Sequence, residues 1–309
     1  KRQMPEYSWG EAYVYGSDQY EAHKEEIDTL NKTIYEKSDP AVNALYDAGR
    51  AESLAHFEDI YKLLGTKFDY YFPESEVAAD GVKAVREFLE KGIFEKSEGA
   101  IIFPGEKHGV HTRVFINSQG LPTYETKEIG LNKRKFEVEP SLVESIIVTA
   151  NEQSDYFKVL LKAITLMYPE IGQKTVHKSH GILRFAEGKM SSRKGNIISA
   201  EEFIADMEAA IDEKMKDREF SPEERAEVRR DVAIAAVKYT ILRQAIGTDI
   251  IYDKEKSVSF EGDSGPYLQY ACVRAGNVVA KAKAAGIKGP GFFRKIKTPL
   301  QVTLLEKML

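Results

Sequence analysis

Apolar positions recur at helical spacing over 51–64, where Leu54, Phe57, Tyr61 and Leu64 step by three and four residues and Gly65 stands at a stop position. The same pattern over 81–91 uses Val82, Val85, Phe88 and Leu89 before Gly92. Ser199-Ala200-Glu201-Glu202 and Ser221-Pro222-Glu223-Glu224 each set a hydroxyl three residues before a carboxylate, which predicts capping boxes opening two more helices. Their apolar faces are Phe203, Ile204, Met207 and Ile211, then Val228, Val232, Ala236, Tyr239 and Leu242. A further helix is predicted over 266–285.

Strand signals concentrate in the middle of the chain. Residues 100–103 and 112–117, joined by a Gly/Pro/His-rich turn, predict a hairpin ending at Gln119-Gly120. The apolar run 145–149 predicts a buried strand of a parallel sheet, followed by a helix over 154–168. Residues 181–185 predict another short strand leading into a Gly/Ser/Lys loop. The order is mixed α/β to residue 198 and all-helical afterwards, so the main boundary falls between 198 and 199.

The 309 residues correspond to about two domains at ~150 residues each, and 42% hydrophobic with 30% charged residues describes a globular chain. No run approaches the ~18 uninterrupted apolar residues of a membrane span, so no membrane partner is expected. The one cysteine, Cys272, has no internal disulfide partner, which fits a reducing compartment; the cytoplasm is the expected location. The net charge of −5 hides two basic segments. Residues 174–195 hold six Lys/Arg against Glu187, and 274–309 hold eight against Glu306, with twelve acids and six bases over 201–231. Such segments suit contact with a polyanion, or are the solvated faces of helices.

The stretch with most chemistry is Gly188-Lys189-Met190-Ser191-Ser192-Arg193-Lys194-Gly195-Asn196. Three cations and two hydroxyls within six positions, flanked by glycines, suit the oxygens of a triphosphate. The spacing is not that of a P-loop. The order Lys-Met-Ser-Ser-Arg resembles the Lys-Met-Ser-Lys-Ser loop of class I aminoacyl-tRNA synthetases, and the blocks around it narrow the resemblance to the arginyl-tRNA synthetase family. Those blocks are Leu64-Gly65-Thr66-Lys67-Phe68-Asp69, Gly120-Leu121-Pro122-Thr123-Tyr124-Glu125-Thr126-Lys127-Glu128, Ala150-Asn151-Glu152-Gln153, and 260–271 with Gly265-Pro266-Tyr267-Leu268-Gln269-Tyr270.

The resemblance implies an α/β fold: an incomplete Rossmann-like parallel-sheet catalytic domain with an inserted mixed region over 1–198, then an all-helical stem and the start of an anticodon-binding domain over 199–309. It implies ATP-dependent attachment of arginine to tRNA, with magnesium accompanying ATP as substrate, and a monomer is expected. Lys189, Ser191, Ser192, Arg193 and Lys194 would carry catalysis by holding the pyrophosphate; which of Ser192, Arg193 and Lys194 replaces the family's second loop lysine stays open. His180, Gly181 and Lys189 would meet ATP, and Tyr267, Tyr270 and Arg274 the tRNA. The family's His-Ile-Gly-His motif is missing, so the sequence is expected to be the latter part of a longer enzyme and inactive alone.

A guanidinium carries five N–H donors in a fixed fork, so its receptor needs a carboxylate, neutral acceptors and an aromatic wall. Glu128, Gln153 and Tyr124 are those residue types, and the resemblance implies that they face the arginine side chain; the family's acid is usually the shorter Asp. Their ordinary alternatives are a solvated helix start, a turn residue and a core aromatic. For Tyr267 and Tyr270, packing in a helix core is the ordinary alternative to stacking on bases. The pairs His108/His111 and His177/His180 have zinc-like spacing, but no third ligand clusters with them and no metal is expected. A non-catalytic tRNA-binding module, or another class I synthetase such as one for cysteine, is the alternative function.

Overall fold

The computed structural model describes residues 8–185 and 199–286. In chain order the elements are α1 (Trp9–Gln19), α2 (Lys24–Glu36), α3 (Pro40–Leu63), α4 (Glu74–Glu90), β1 (Glu95–Ser97), β2 (Ala100–Phe103), β3 (Arg113–Ile116), α5 (Tyr124–Val138), β4 (Ser145–Ala150), α6 (Ser154–Met167), α7 (Pro169–Lys174), β5 (Thr175–His180), β6 (Leu183–Phe185), α8 (Ala200–Lys214), α9 (Pro222–Leu242), β7 (Ile250–Tyr252), α10 (Lys254–Ser257) and α11 (Gly265–Ala284). The chain forms two compact units. Among the described residues, one comprises 8–67, 183–185, 199–244 and 250–286; the other comprises Phe68–Ile182 with Ala245–Asp249.

The unit built from Phe68–Ile182 contains the predicted hairpin and the β4-α6 unit. Strands β1, β2 and β3 are antiparallel neighbours, while β4 and β5 run parallel, in register from Ser145 opposite Thr175 to Ala150 opposite His180. The core gathers Phe94, Phe103 and Phe115 of the hairpin region with Val85 of α4, Ile129 of α5 and Leu160 and Ile164 of α6. Phe94 meets Phe115 edge to face at 4.9 Å between ring centroids, the arrangement aromatic quadrupoles favour. Helices α4 and α5 cross where Gly81 lies against the backbone of Thr126 and Gly130 against that of Val77.

Four elements of this unit were not predicted: β1, α5, α7 and β5. Helix α5 escapes a periodicity reading because its buried positions include Glu125, Thr126, Gly130 and Asn132. Strand β5, Thr-Val-His-Lys-Ser-His, reads as part of a basic run, and its one buried residue is Thr175.

The other unit is mainly helical. Both predicted capping boxes form: the Ser199 hydroxyl accepts from the Glu202 amide and the Ser221 hydroxyl from the Glu224 amide, and each glutamate accepts from the serine amide in return. Phe203, Ile204, Met207 and Ile211 pack with Ala233, Ala236 and Val237 and with Tyr252 and Val258. Helix α3 begins earlier than the predicted 51–64, at Pro40 in the first helical position behind the Asp39 cap, because Asp-Pro supplies a start signal ahead of the apolar stripe. Removing a hydroxyl cap costs about 1 kcal/mol, so Ser221→Ala is expected to lower stability by that amount, read from the urea midpoint at unchanged slope.

The α/β class holds, with one detail the sequence reading missed. The region after 198 is not wholly helical, because β7 pairs in parallel with β6, Leu183 opposite Ile250. Three residues hold a strand only when a partner lies ready, and this partner is far away in sequence. Among the described residues, no helix is long and apolar enough to cross a membrane.

Candidate active site

The first turn of α5 is fixed by β3. The Thr123 hydroxyl donates to the carbonyls of Val114 and Phe115 at 3.0 and 2.9 Å, and the Thr126 hydroxyl also donates to Phe115. This anchoring sets the directions of Tyr124 and Glu128, one turn apart on the helix. Tyr124, at the first helical position, is 67% exposed, so it is not a core residue.

The cations near this turn already have partners. Arg113 donates to Glu125 at 3.0 Å, and Lys127 pairs with Glu74 at 3.0 Å while lying 5.1 Å above the Tyr124 ring. Glu128 has no ion pair among the described residues. Its one donor among those residues is the side-chain amide of Asn132, at 3.4 Å. Burial pushes the Glu128 carboxyl above its ordinary range; the Lys135 ammonium acts against this and the Glu74 carboxylate adds to it. Burial in turn holds Lys135 below the usual lysine range, opposed by Glu128. A desolvated carboxylate short of partners is a receptor for a cation.

Gln153 ends the short turn Asn151–Gln153 between β4 and α6 and is exposed. Tyr156, one turn later on α6, has the Arg113 guanidinium 5.4 Å from its ring centroid, and the same guanidinium donates to Glu125 of α5, so the start of α6 faces the start of α5. His180 ends β5 opposite Ala150, the last residue of β4. Gln153 and His180 therefore both sit at the carboxyl ends of parallel strands, where open α/β sheets bind ligands. His180 is exposed, with Nδ1 2.7 Å from the Gly181 carbonyl. Gly181 is buried, and a Cβ there would lie 1.8 Å from the Thr248 carbonyl oxygen, so packing alone demands glycine.

Lys189, Ser191, Ser192, Arg193 and Lys194 lie outside the described residues. On α11, Tyr267 and Tyr270 are 39% and 47% exposed among the described residues. The helix buries Gly265 and Pro266 at its start. The Arg274 guanidinium sits 5.5 Å from the Tyr270 ring centroid. Two further histidines have packing roles: His177 stacks on Phe157 at 4.2 Å and meets the Thr149 hydroxyl at 2.8 Å, and His108 stacks on Phe103. Tyr156 and Asn132 were missed by sequence reasoning; the signal for Tyr156 was its place one turn beyond Gln153.

The family model of the catalytic domain of class I tRNA synthetases (R) matches residues 36–254, which include α5, the strand ends and the Lys189 stretch. The chain belongs to this family. The arginine–tRNA ligase of Parabacteroides distasonis is 32% identical over 278 residues, covering 88% of this chain and 46% of its own length. That of Borreliella burgdorferi is 31% identical over 293 residues, covering 90% and 49%. The chain thus spans about half the length of these relatives. Among solved structures, the arginyl-tRNA synthetase of Thermus thermophilus shares the fold at a TM-score of 0.68 and 20% identity, over 88% of this chain and 51% of that one. The Plasmodium falciparum arginyl-tRNA synthetase does so at 0.68 and 16%, over 85% and 45%.

Proposed function

We propose that the chain serves the ATP-dependent attachment of arginine to its tRNA: arginine and ATP give arginyl-adenylate and pyrophosphate, and the arginyl group then passes to the terminal adenosine of the tRNA. The observation that carries this reading is Glu128, a partly desolvated carboxylate with one weak donor and no ion pair among the described residues, inside a family whose named relatives are arginine–tRNA ligases. Glu128 would take the guanidinium, Tyr124 would flank it and Gln153 would supply a neutral acceptor. ATP, carried as its magnesium complex, would meet His180 and Gly181 at the strand ends and Lys189 with Ser191, Ser192, Arg193 and Lys194. These groups act by positioning and by stabilising phosphate charge as it develops. Residues 1–198 carry this catalytic part; 199–309 form the stem and the start of the anticodon-binding domain, with Tyr267, Tyr270 and Arg274 offered to tRNA. The protein works as a cytoplasmic monomer.

The test is ATP–pyrophosphate exchange by the protein as the cell makes it, with tRNA present. Exchange should require arginine. Loss of one charge-assisted phosphate contact, about 1.5–3 kcal/mol, should make Lys189→Ala roughly 20-fold slower. Exchange indifferent to arginine would refute the reading, and an unchanged rate in Lys189→Ala would remove that lysine from it.

A further inference from the structure

Beside Glu128 two buried polar atoms have no partner among the described residues: Oδ1 of Asn132 and the hydroxyl of Tyr156. Native proteins seldom leave such atoms unmet unless something else meets them. The amide of Asn132 has a fixed orientation, because its nitrogen donates to the Glu128 carbonyl at 2.9 Å and to the Glu128 carboxylate at 3.4 Å. Both neighbours are acceptors, so the nitrogen must face them and Oδ1 must face away.

Tyr156 is held by its ring, edge to face against Phe157 at 4.8 Å and with the Arg113 guanidinium 5.4 Å from its centroid. Burial and the carboxylates of Glu128, Glu125 and Glu74 push its hydroxyl far above the ordinary tyrosine range, so it stays protonated. The nearby cations do not fill the gap. Arg113 is held by Glu125 and Lys127 by Glu74, and Lys135 reaches Glu128 through its field without an ion pair among the described residues.

The missing occupant must therefore carry donors and positive charge. A carboxylate takes two N–H groups of a guanidinium in bidentate fashion and leaves three. We propose that Tyr156 and Asn132 complete the guanidinium receptor begun by Glu128, each accepting one of the N–H donors that the carboxylate leaves over. This makes them specificity-determining residues, and it rests on the reading of arginine as the substrate. The third remaining donor falls to Gln153.

The test compares Tyr156→Phe, Asn132→Ala and Glu128→Gln in the protein as the cell makes it, by arginine KM and kcat in tRNA-dependent exchange and by melting of the arginine-free protein. Tyr156→Phe is expected to raise the arginine KM about tenfold with kcat within twofold, the size of one lost hydrogen bond to a charged ligand. Because the removed hydroxyl has no partner among the described residues, the melting temperature should not fall. Asn132→Ala, which keeps the Tyr156 hydroxyl, should raise KM by a similar factor. If Glu128→Gln raises KM while Tyr156→Phe leaves it within twofold, the inference fails and the arginine reading survives. A lowered melting temperature with kcat and KM both impaired would assign Tyr156 a structural role and also overturn it. If the unmodified protein shows no arginine dependence, the reading and the inference fall together.

Discussion

Glu128→Gln is expected to raise the arginine KM about 30-fold while leaving kcat within a few-fold, because a hydrogen-bonded charge contact is worth about 1.5–3 kcal/mol. Glutamine keeps the length and one acceptor oxygen but removes the charge and replaces the second acceptor with an NH2 aimed at a cationic ligand. The contact acts on the substrate side chain, remote from the reacting carboxylate, so it belongs to ground state and transition state alike and appears in KM.

The same residue makes a prediction of opposite sign for stability. Burial raises the Glu128 carboxyl in the folded protein, so the folded state holds that proton more tightly than the unfolded chain does. Stability is then lost as pH rises from the ordinary glutamate range through the raised value. At neutral pH the ionised carboxylate is a cost that glutamine does not carry, and the arginine-free Glu128→Gln protein should melt higher than its parent. Arginine binding runs the other way. It needs the ionised form, and it should weaken on acidification at a pH above that expected for an exposed glutamate. Equal KM values with no change in melting would show that Glu128 is an ordinary surface acid.

What could be seen in the sequence divides along the range of the interactions involved. The capping boxes at Ser199 and Ser221 are complete within four residues, and the sequence reading found both. The hairpin over 100–117 and the β4-α6 unit follow from short-range alternation and turn residues. Strand β7 could not be read this way, since Ile250, Ile251 and Tyr252 become a strand only beside β6. For α5, the sequence motif drew attention to Tyr124 and Glu128, yet the helix carrying them buries polar side chains and a glycine and shows no clean apolar stripe. That the Tyr156 hydroxyl is unmet is a property of its surroundings; a lone tyrosine beyond Gln153 announces nothing of it.

Gly130→Ala is expected to destabilise the protein by about 3 kcal/mol, measured as a lowered urea midpoint. The substitution places a Cβ 2.2 Å from the Val77 carbonyl oxygen and 2.9 Å from the Gly81 nitrogen, and at the reciprocal contact a Cβ on Gly81 would lie 2.0 Å from the Thr126 carbonyl oxygen. These neighbours are backbone, so no side chain can swing aside. Helices α4 and α5 must part by about an ångström, opening the core around Val85 and Ile129, which are 0% and 1% exposed. Alanine's better helix propensity returns only about 1 kcal/mol, too little to offset the lost packing. Gly16→Ala on α1 is the control: nothing lies within 4 Å of its Cβ, and there the propensity gain should appear alone as a small stabilisation. Because Gly130 lies two residues beyond Glu128 on the same helix, the shift also displaces the carboxylate relative to Tyr156. Gly130→Ala should therefore raise the arginine KM even at temperatures where the variant stays folded. A variant as stable as its parent, with the same KM, would show that the crossing of α4 and α5 has room to spare and does not fix the site.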